Sequence, residues 1–158
     1  MSDANYWMSR AMQLESQAAQ KLTNFEKVQY FHSSFGQEAP QYMSLDLSNR
    51  TPELLKLIEL RKSLIREEYH EVFDELESGH FYPEKIAKEL ADLLYVVYGA
   101  ADMLGIPLDD VFEEVHSSNM SKLDENGNPV HREDGKILKS KLYREADIKG
   151  VLDRFKPK

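Results

Sequence analysis

The chain has 158 residues, a charged fraction of 30%, a hydrophobic fraction of 41% and a formal net charge of −8. This length suits one domain with a real hydrophobic core and is too short for two comfortable ones. The net negative charge disfavours binding to a nucleic-acid polymer. No apolar run is long enough to predict a membrane span. The chain has no cysteine, which excludes disulfides and thiolate metal sites. The N-terminus lacks the basic start and apolar block of a secretory signal, so a cytoplasmic protein is expected.

Helical patterns dominate the first part of the chain. An amphipathic stretch near 4–20 predicts a helix, and residues 1–22 are interpreted as a helical extension. A second helix is predicted near 23–35, where it ends at Gly36. Residues 37–50 have mixed polarity and one proline, which predicts a loop.

Two longer helices are predicted in the centre of the chain. Thr51 suits the cap and Pro52 the first turn of a helix over 51–78, whose apolar period continues to Leu76. Pro83 opens the next helix, which is predicted to end near Leu104. A shorter helix is expected over about 107–118.

The C-terminal part has a different pattern. The stretches DENGNPV and REDGK are turn signals, so 124–140 is predicted to form a hairpin or a pair of extended segments. A short helix is expected in the tail. The predicted fold is therefore all-α with a small C-terminal hairpin appendage, arranged as one domain over 23–158.

Four acidic residues interrupt the apolar faces of the two central helices. At about 100° per residue, Glu68 and Glu71 fall inside the first apolar stripe, Glu89 falls inside the second, and Asp92 lies on its edge. The short connection makes the helices antiparallel neighbours, and counting from the loop puts Glu71 level with Glu89 and Glu68 level with Asp92. Four carboxylates are therefore expected to converge.

Such a convergence needs a physical reason. Two carboxylates about 5 Å apart repel by roughly 3 kcal/mol at an effective dielectric near 20, which is a large fraction of the usual stability of a domain. The group is stable only if it takes up protons or binds cations. An all-oxygen set without cysteine suits Mg²⁺, with Mn²⁺ as the alternative. A solvated acidic surface is the simpler interpretation of either motif alone.

The motifs resemble those of a known superfamily. EEYHE at 67–71 and ELAD at 89–92 are similar to the ExxE…ExxD signature of the MazG-like all-α nucleoside triphosphate pyrophosphohydrolases, which include dimeric dUTPases and phosphoribosyl-ATP pyrophosphohydrolases. FEKVQYFHSSFG at 25–36 resembles the first core helix of that superfamily. The segment SSNMSKLDENGNPVHREDGKILKS at 117–140 resembles the Asn-Met-Ser-Lys segment and DGK turn of one branch.

This resemblance implies a fold, a reaction and a set of site residues. It implies a four-helix core bundle that assembles as a homodimer or homotetramer and hydrolyses a (deoxy)nucleoside triphosphate, standard or non-standard, to the monophosphate and pyrophosphate. The implied metal ligands are Glu68, Glu71, Glu89 and Asp92, and Glu67 beside them is the implied acid that orients water. The residues implied to bind substrate are Asn119, Lys122, Lys139 and Tyr143.

Other interpretations remain open. A phosphoribosyl-ATP pyrophosphohydrolase-like activity is an alternative within the superfamily, and a non-enzymatic helical module for metal binding or interaction is one outside it. The ExxH spacings at Glu67–His70 and Glu113–His116 occur in di-iron bundles, but the helical wheel turns His70 away from Glu68. The aromatic group of Phe31, His32 and Phe35 predicts either core or the edge of a base pocket.

Overall fold

The computed structural model describes residues 22–158, so the helix predicted at 4–20 lies outside the described residues. Within 22–158 the chain forms five helices and no strand, and the predicted all-α class is confirmed. The chain divides into two compact units between Ile106 and Pro107. The prediction of a single domain over 23–158 stays a prediction.

Helix α1 spans Asn24–Ser34 and begins with a reciprocal cap. The Thr23 hydroxyl accepts a hydrogen bond from the Glu26 backbone N–H, and the Glu26 carboxylate accepts one from the Thr23 backbone N–H. Both bonds satisfy donors that a helix N-terminus otherwise leaves open. The helix buries Phe25 and Val28, and its end is followed by Gly36, whose positive φ of 70° terminates the turn.

Helices α2 and α3 form the predicted pair. Helix α2 spans Pro52–Glu77, with Thr51 Oγ1 accepting a hydrogen bond from the Leu54 N–H. Helix α3 spans Pro83–Met103, and it packs against both α1 and α2. The observed bounds follow the predicted ones closely because a proline at the first helical position marks each start.

A buried polar group joins α1 to the end of α3. His32 Nδ1 lies 2.6 Å from Asp102 Oδ2, and both side chains are almost fully buried. The Gln29 amide donates a second hydrogen bond to Asp102 Oδ1 at 3.1 Å. Loss of these partners would leave a buried carboxylate unpaired, which strongly destabilises a fold. The contact therefore fixes the position of α1 against the end of α3.

Helix α2 contributes a buried cation to the same region. Arg61 donates a hydrogen bond to Gln37 Oε1 at 3.1 Å and is 8% exposed. Gly99 of α3 allows the close approach, because a Cβ there would lie 3.3 Å from His32 Cε1 and 3.6 Å from Arg61 Nη1. The three helices of the first unit are therefore tied by polar contacts as well as by apolar packing.

The second unit contains α4 (Leu108–Met120) and α5 (Ile148–Asp153), which pack together. The Glu114 carboxylate fixes the approach to α5 by accepting hydrogen bonds from Arg144 Nη1 at 2.5 Å and from the Asp147 backbone N–H at 2.8 Å. Between the two helices, the predicted hairpin region contains two isolated antiparallel bridges, Leu123 with Pro129 and His131 with Ile137.

No single helix within residues 22–158 has the length and apolar character of a membrane span. The pair Pro83–Met103 and Leu108–Met120 meets those criteria only when the two helices are taken together, by length and composition.

Candidate metal centre

Three of the four predicted carboxylates come together between α2 and α3. Glu68 of α2 and Glu89 and Asp92 of α3 each offer a carboxylate oxygen, and these oxygens lie within 4.8 Å of one another. The short connection from Glu77 to Pro83 makes the helices antiparallel neighbours. This connection places the ExxE and ExxD motifs side by side.

Glu71 joins the same group through a hydrogen bond. It shares this bond with Glu89, and the bond raises the pKa of Glu71 above its ordinary value, with desolvation and repulsion by Glu68 and Glu89 acting in the same direction. A raised pKa means that the surroundings of Glu71 disfavour its negative charge. A divalent cation bound beside these carboxylates would remove that penalty.

Glu68 experiences the charge of three neighbouring acids. Desolvation raises its pKa first, and repulsion from Asp92, Glu67 and Glu89 raises it further. Glu67 is exposed and contributes its charge from the neighbouring position on α2. We call these five acids, which are Glu67, Glu68, Glu71, Glu89 and Asp92, the acidic cluster. The repulsion within it disfavours full ionisation unless positive charge is supplied.

The cluster is accessible from solvent on one side. The Glu89 side chain is 12% exposed and that of Asp92 is 42% exposed. Lys88 reaches across this opening, with its Nζ 3.0 Å from Glu89 Oε2 and 2.8 Å from Asp92 Oδ2. A cation is therefore already stabilised beside two of the carboxylates, so the residues fit a positively charged ligand.

The donor set distinguishes between metals. All the candidate ligand atoms are carboxylate oxygens, and Mg²⁺ and Mn²⁺ prefer oxygen ligands. Such hard cations need only a few carboxylates from the protein. Among residues 22–158, no histidine belongs to a group of three or more close candidate ligands. The ExxH spacings at His70 and His116 therefore do not form a di-iron site in this part of the chain.

The predicted substrate-binding residues lie in the second unit as two contacting pairs. Lys122 Nζ donates a hydrogen bond to Asn119 Oδ1 at 2.7 Å, at the end of α4. Lys139 Nζ lies 4.0 Å above the ring of Tyr143 in the segment that leads towards α5. Each pair keeps a lysine in a defined position within this unit, and their role towards substrate stays a prediction.

Sequence reasoning did not identify two features of the first unit. Lys88 was not recognised as a partner of the acids, although its spacing of four residues from Asp92 is a contact distance on a helix. His32 was placed in an aromatic group, but it is buried against Asp102, whereas Phe31 and Phe35 are 37% and 70% exposed. The Asp102 partner is 70 residues away in the chain, and no local pattern indicates such a pairing.

Comparison with known proteins bears on the same region. The model of the phosphoribosyl-ATP pyrophosphohydrolase family matches residues 28–119, which include every member of the acidic cluster. An uncharacterized protein of Acanthamoeba polyphaga mimivirus is 28% identical to the chain over 139 residues. That match covers 87% of this chain and 51% of the viral protein, so the chain spans about half the length of the relative.

Proposed function

Because the chain belongs to the phosphoribosyl-ATP pyrophosphohydrolase family, we propose that it hydrolyses a (deoxy)nucleoside triphosphate, standard or non-standard, to the monophosphate and pyrophosphate. The proposed cofactor is Mg²⁺, with Mn²⁺ as the alternative. The observation that carries the proposal is the approach of the Glu68, Glu89 and Asp92 carboxylate oxygens to within 4.8 Å of one another. The family supports a pyrophosphohydrolase in general, and the choice of substrate and metal is ours.

The acidic cluster is suited to this substrate only with cations present. A triphosphate is strongly negative and would be repelled by bare carboxylates, whereas bound Mg²⁺ supplies an activated water and neutralises charge on the leaving pyrophosphate. Glu68, Glu71, Glu89 and Asp92 are the proposed ligands. Glu67, which is exposed beside them, is proposed to orient the attacking water and accept its proton.

Two lysines and their neighbours are the proposed substrate contacts. Lys122, held by Asn119, and Lys139, held over Tyr143, are proposed to contact the phosphate oxygens and the rest of the nucleotide. Lysine acts on phosphate as a compact point charge, and a lysine restrained by a neighbour loses less freedom when it binds.

Phosphoribosyl-ATP is the second candidate substrate, and the description of the matching family favours it. Both reactions break a phosphoric anhydride bond and release pyrophosphate, so the acidic cluster would perform the same task in each. The two candidates differ in the group that the rest of the site must accept.

We also propose that the chain acts as a homodimer or homotetramer. Helices α2 and α3 leave large apolar side chains between 42% and 54% exposed, namely Leu60, Tyr69, Phe73, Leu76, Leu90 and Leu94. A second copy would bury such a surface at little cost in polar contacts. Sedimentation of the full chain should therefore give a mass of two or four times 18.3 kDa. A monomer at micromolar concentration would refute this assembly.

A nucleotide panel tests the reaction. The full chain is incubated with Mg²⁺ and canonical, deoxy- and modified triphosphates and with phosphoribosyl-ATP, and released phosphate is measured with and without added inorganic pyrophosphatase. We expect phosphate only when pyrophosphatase is present, together with the matching monophosphate. Glu71→Gln should abolish release, and Glu75→Gln is the matched control because Glu75 contacts Lys85 rather than the cluster. A folded, Mg²⁺-bound protein that releases nothing from any substrate would overturn the proposal.

A further inference from the structure

Lys88 is the cation in contact with the acidic cluster in the described structure. Its ammonium group bridges two carboxylates on the same helix, Glu89 at 3.0 Å and Asp92 at 2.8 Å. The lysine side chain is 63% exposed, whereas that of Glu89 is only 12% exposed. An exposed ammonium group therefore pairs with one mostly buried carboxylate, Glu89, and one more exposed carboxylate, Asp92.

Helix geometry by itself does not favour this contact. On an isolated helix the acid is better placed four residues before the lysine, and here Lys88 precedes Asp92. A long exposed side chain also loses rotamer freedom when it is held in one position. The contact is explained by the two carboxylates that meet at this point, because the Lys88 ammonium group lies within 3.0 Å of both Glu89 and Asp92.

We propose that Lys88 is an internal counter-ion of the metal centre, which neutralises Glu89 and Asp92 in the metal-free protein and competes with the divalent cation for them. The inference rests on the proposed metal binding by the acidic cluster. The oxygens that Lys88 contacts, Glu89 Oε2 and Asp92 Oδ2, belong to two of the proposed ligands. A divalent ion that uses these oxygens must displace the ammonium group.

Two measurable consequences follow. The metal-free protein is more stable with Lys88 than without it, because Lys88 offsets repulsion among the carboxylates. The affinity for the metal is lower with Lys88 than without it, because part of the attraction of the site is already satisfied. A lysine that only decorates the surface would change neither quantity.

The test compares Lys88→Met with Lys85→Met. Lys85 lies on the same helix, is 57% exposed and contacts Glu75 at 3.7 Å, so its replacement removes the same charge about one turn from the cluster. Binding of Mn²⁺ alone, without nucleotide, is measured by titration calorimetry and by the loss of the free-ion paramagnetic resonance signal. Melting temperature in EDTA is measured for the same proteins.

We expect Lys88→Met to bind Mn²⁺ about fivefold more tightly than the wild type, because the metal no longer has to displace one partly screened ion pair. We also expect Lys88→Met to melt at a lower temperature than the wild type in EDTA. Lys85→Met should bind within about twofold of the wild type, and so should Lys88→Arg, which keeps the charge. Equal tightening by both methionine variants, or unchanged or weaker binding by Lys88→Met, would overturn the inference. A wild-type protein that binds no Mn²⁺ would overturn the proposed metal centre as well, which distinguishes the two failures.

Discussion

Glu89 is the acid at which removal of one charge gives the most informative result. It contacts Lys88, it raises the pKa of the neighbouring Glu71, and its carboxylate oxygen lies within 4.8 Å of oxygens of Glu68 and Asp92. Glu89→Gln removes the charge and retains an amide of the same shape, which can still form a hydrogen bond with Glu71. The substitution therefore separates the effect of charge from that of packing.

The expected size of the effect follows from the geometry. At 4.8 Å and an effective dielectric of about 20, two carboxylates repel by about 3 kcal/mol. Asp92 is partly exposed and Lys88 offsets part of the negative charge, so the repulsion between these groups is smaller in practice. We therefore expect Glu89→Gln to stabilise the metal-free protein by about 1 kcal/mol. For a chain of this size, that gain should raise the melting temperature in EDTA by about 2–4 °C.

The opposite result is expected with magnesium. Binding at one hundred times the dissociation constant stabilises the wild type by about 2.7 kcal/mol, or about 5–10 °C. If the variant binds about a hundredfold more weakly, as loss of a ligand implies, the same Mg²⁺ concentration adds only about 0.4 kcal/mol, or about 1 °C. Glu89→Gln should therefore be the more stable protein in EDTA and the less stable one in Mg²⁺.

Differential scanning calorimetry of the wild type, Glu89→Gln and Glu75→Gln in EDTA and in Mg²⁺ measures this crossover. Glu75→Gln changes the same group on the neighbouring helix and should retain the full response of the wild type to magnesium. An equal magnesium shift in Glu89→Gln and the wild type would refute the assignment of Glu89 as a ligand. A lower melting temperature of Glu89→Gln in EDTA would refute the claim that the carboxylates repel one another.

Two further predictions concern pH and the buried contact between His32 and Asp102. The pKa values of Glu68 and Glu71 are raised above 4.5 in the folded state. Above about pH 4.5 the folded chain therefore binds protons that the unfolded chain releases. The stability that these two groups contribute is lost as the pH rises through their raised pKa values. Urea unfolding in EDTA at several pH values should show this loss in the wild type and a smaller one in Glu71→Gln. Asp102→Ala should lower the free energy of unfolding by about 3–5 kcal/mol, because it leaves His32 buried without its partner. A cost below about 1 kcal/mol in urea titration would contradict that role.

The helices of the first unit could be predicted from local signals. Thr51 with Pro52, and Pro83 after a short loop, mark the starts of the two long helices, and the observed bounds agree with them. The approach of the ExxE and ExxD motifs follows from that loop, because a short connection leaves an antiparallel pair only one register. Local sequence is sufficient where neighbouring elements in the chain are also neighbours in space.

The contacts that sequence did not predict depend on distant or flexible groups. His32 and Asp102 meet only because α1 packs on the end of α3, which no spacing in the chain records. Lys88 has many rotamers, and its position depends on the summed charge of acids from two helices. The sequence predicts a hairpin or a pair of extended segments over 124–140. The structure has single bridges at Leu123–Pro129 and His131–Ile137 instead of regular strands, because the two turns follow each other closely.

Burial separates two kinds of carboxylate on α3 that look alike in sequence. Asp102 is 3% exposed as a side chain and is matched by His32, which is 5% exposed, so its charge is satisfied entirely within the protein. Asp92 is 42% exposed and is matched by Lys88, a flexible group that is 63% exposed and shared with Glu89. A buried pair that loses a partner is costly, whereas a solvent-facing pair is exchanged readily for another cation. The C-terminal end of α3 therefore carries a carboxylate that maintains helix packing, and the end near the loop carries the accessible carboxylates that we propose as metal ligands.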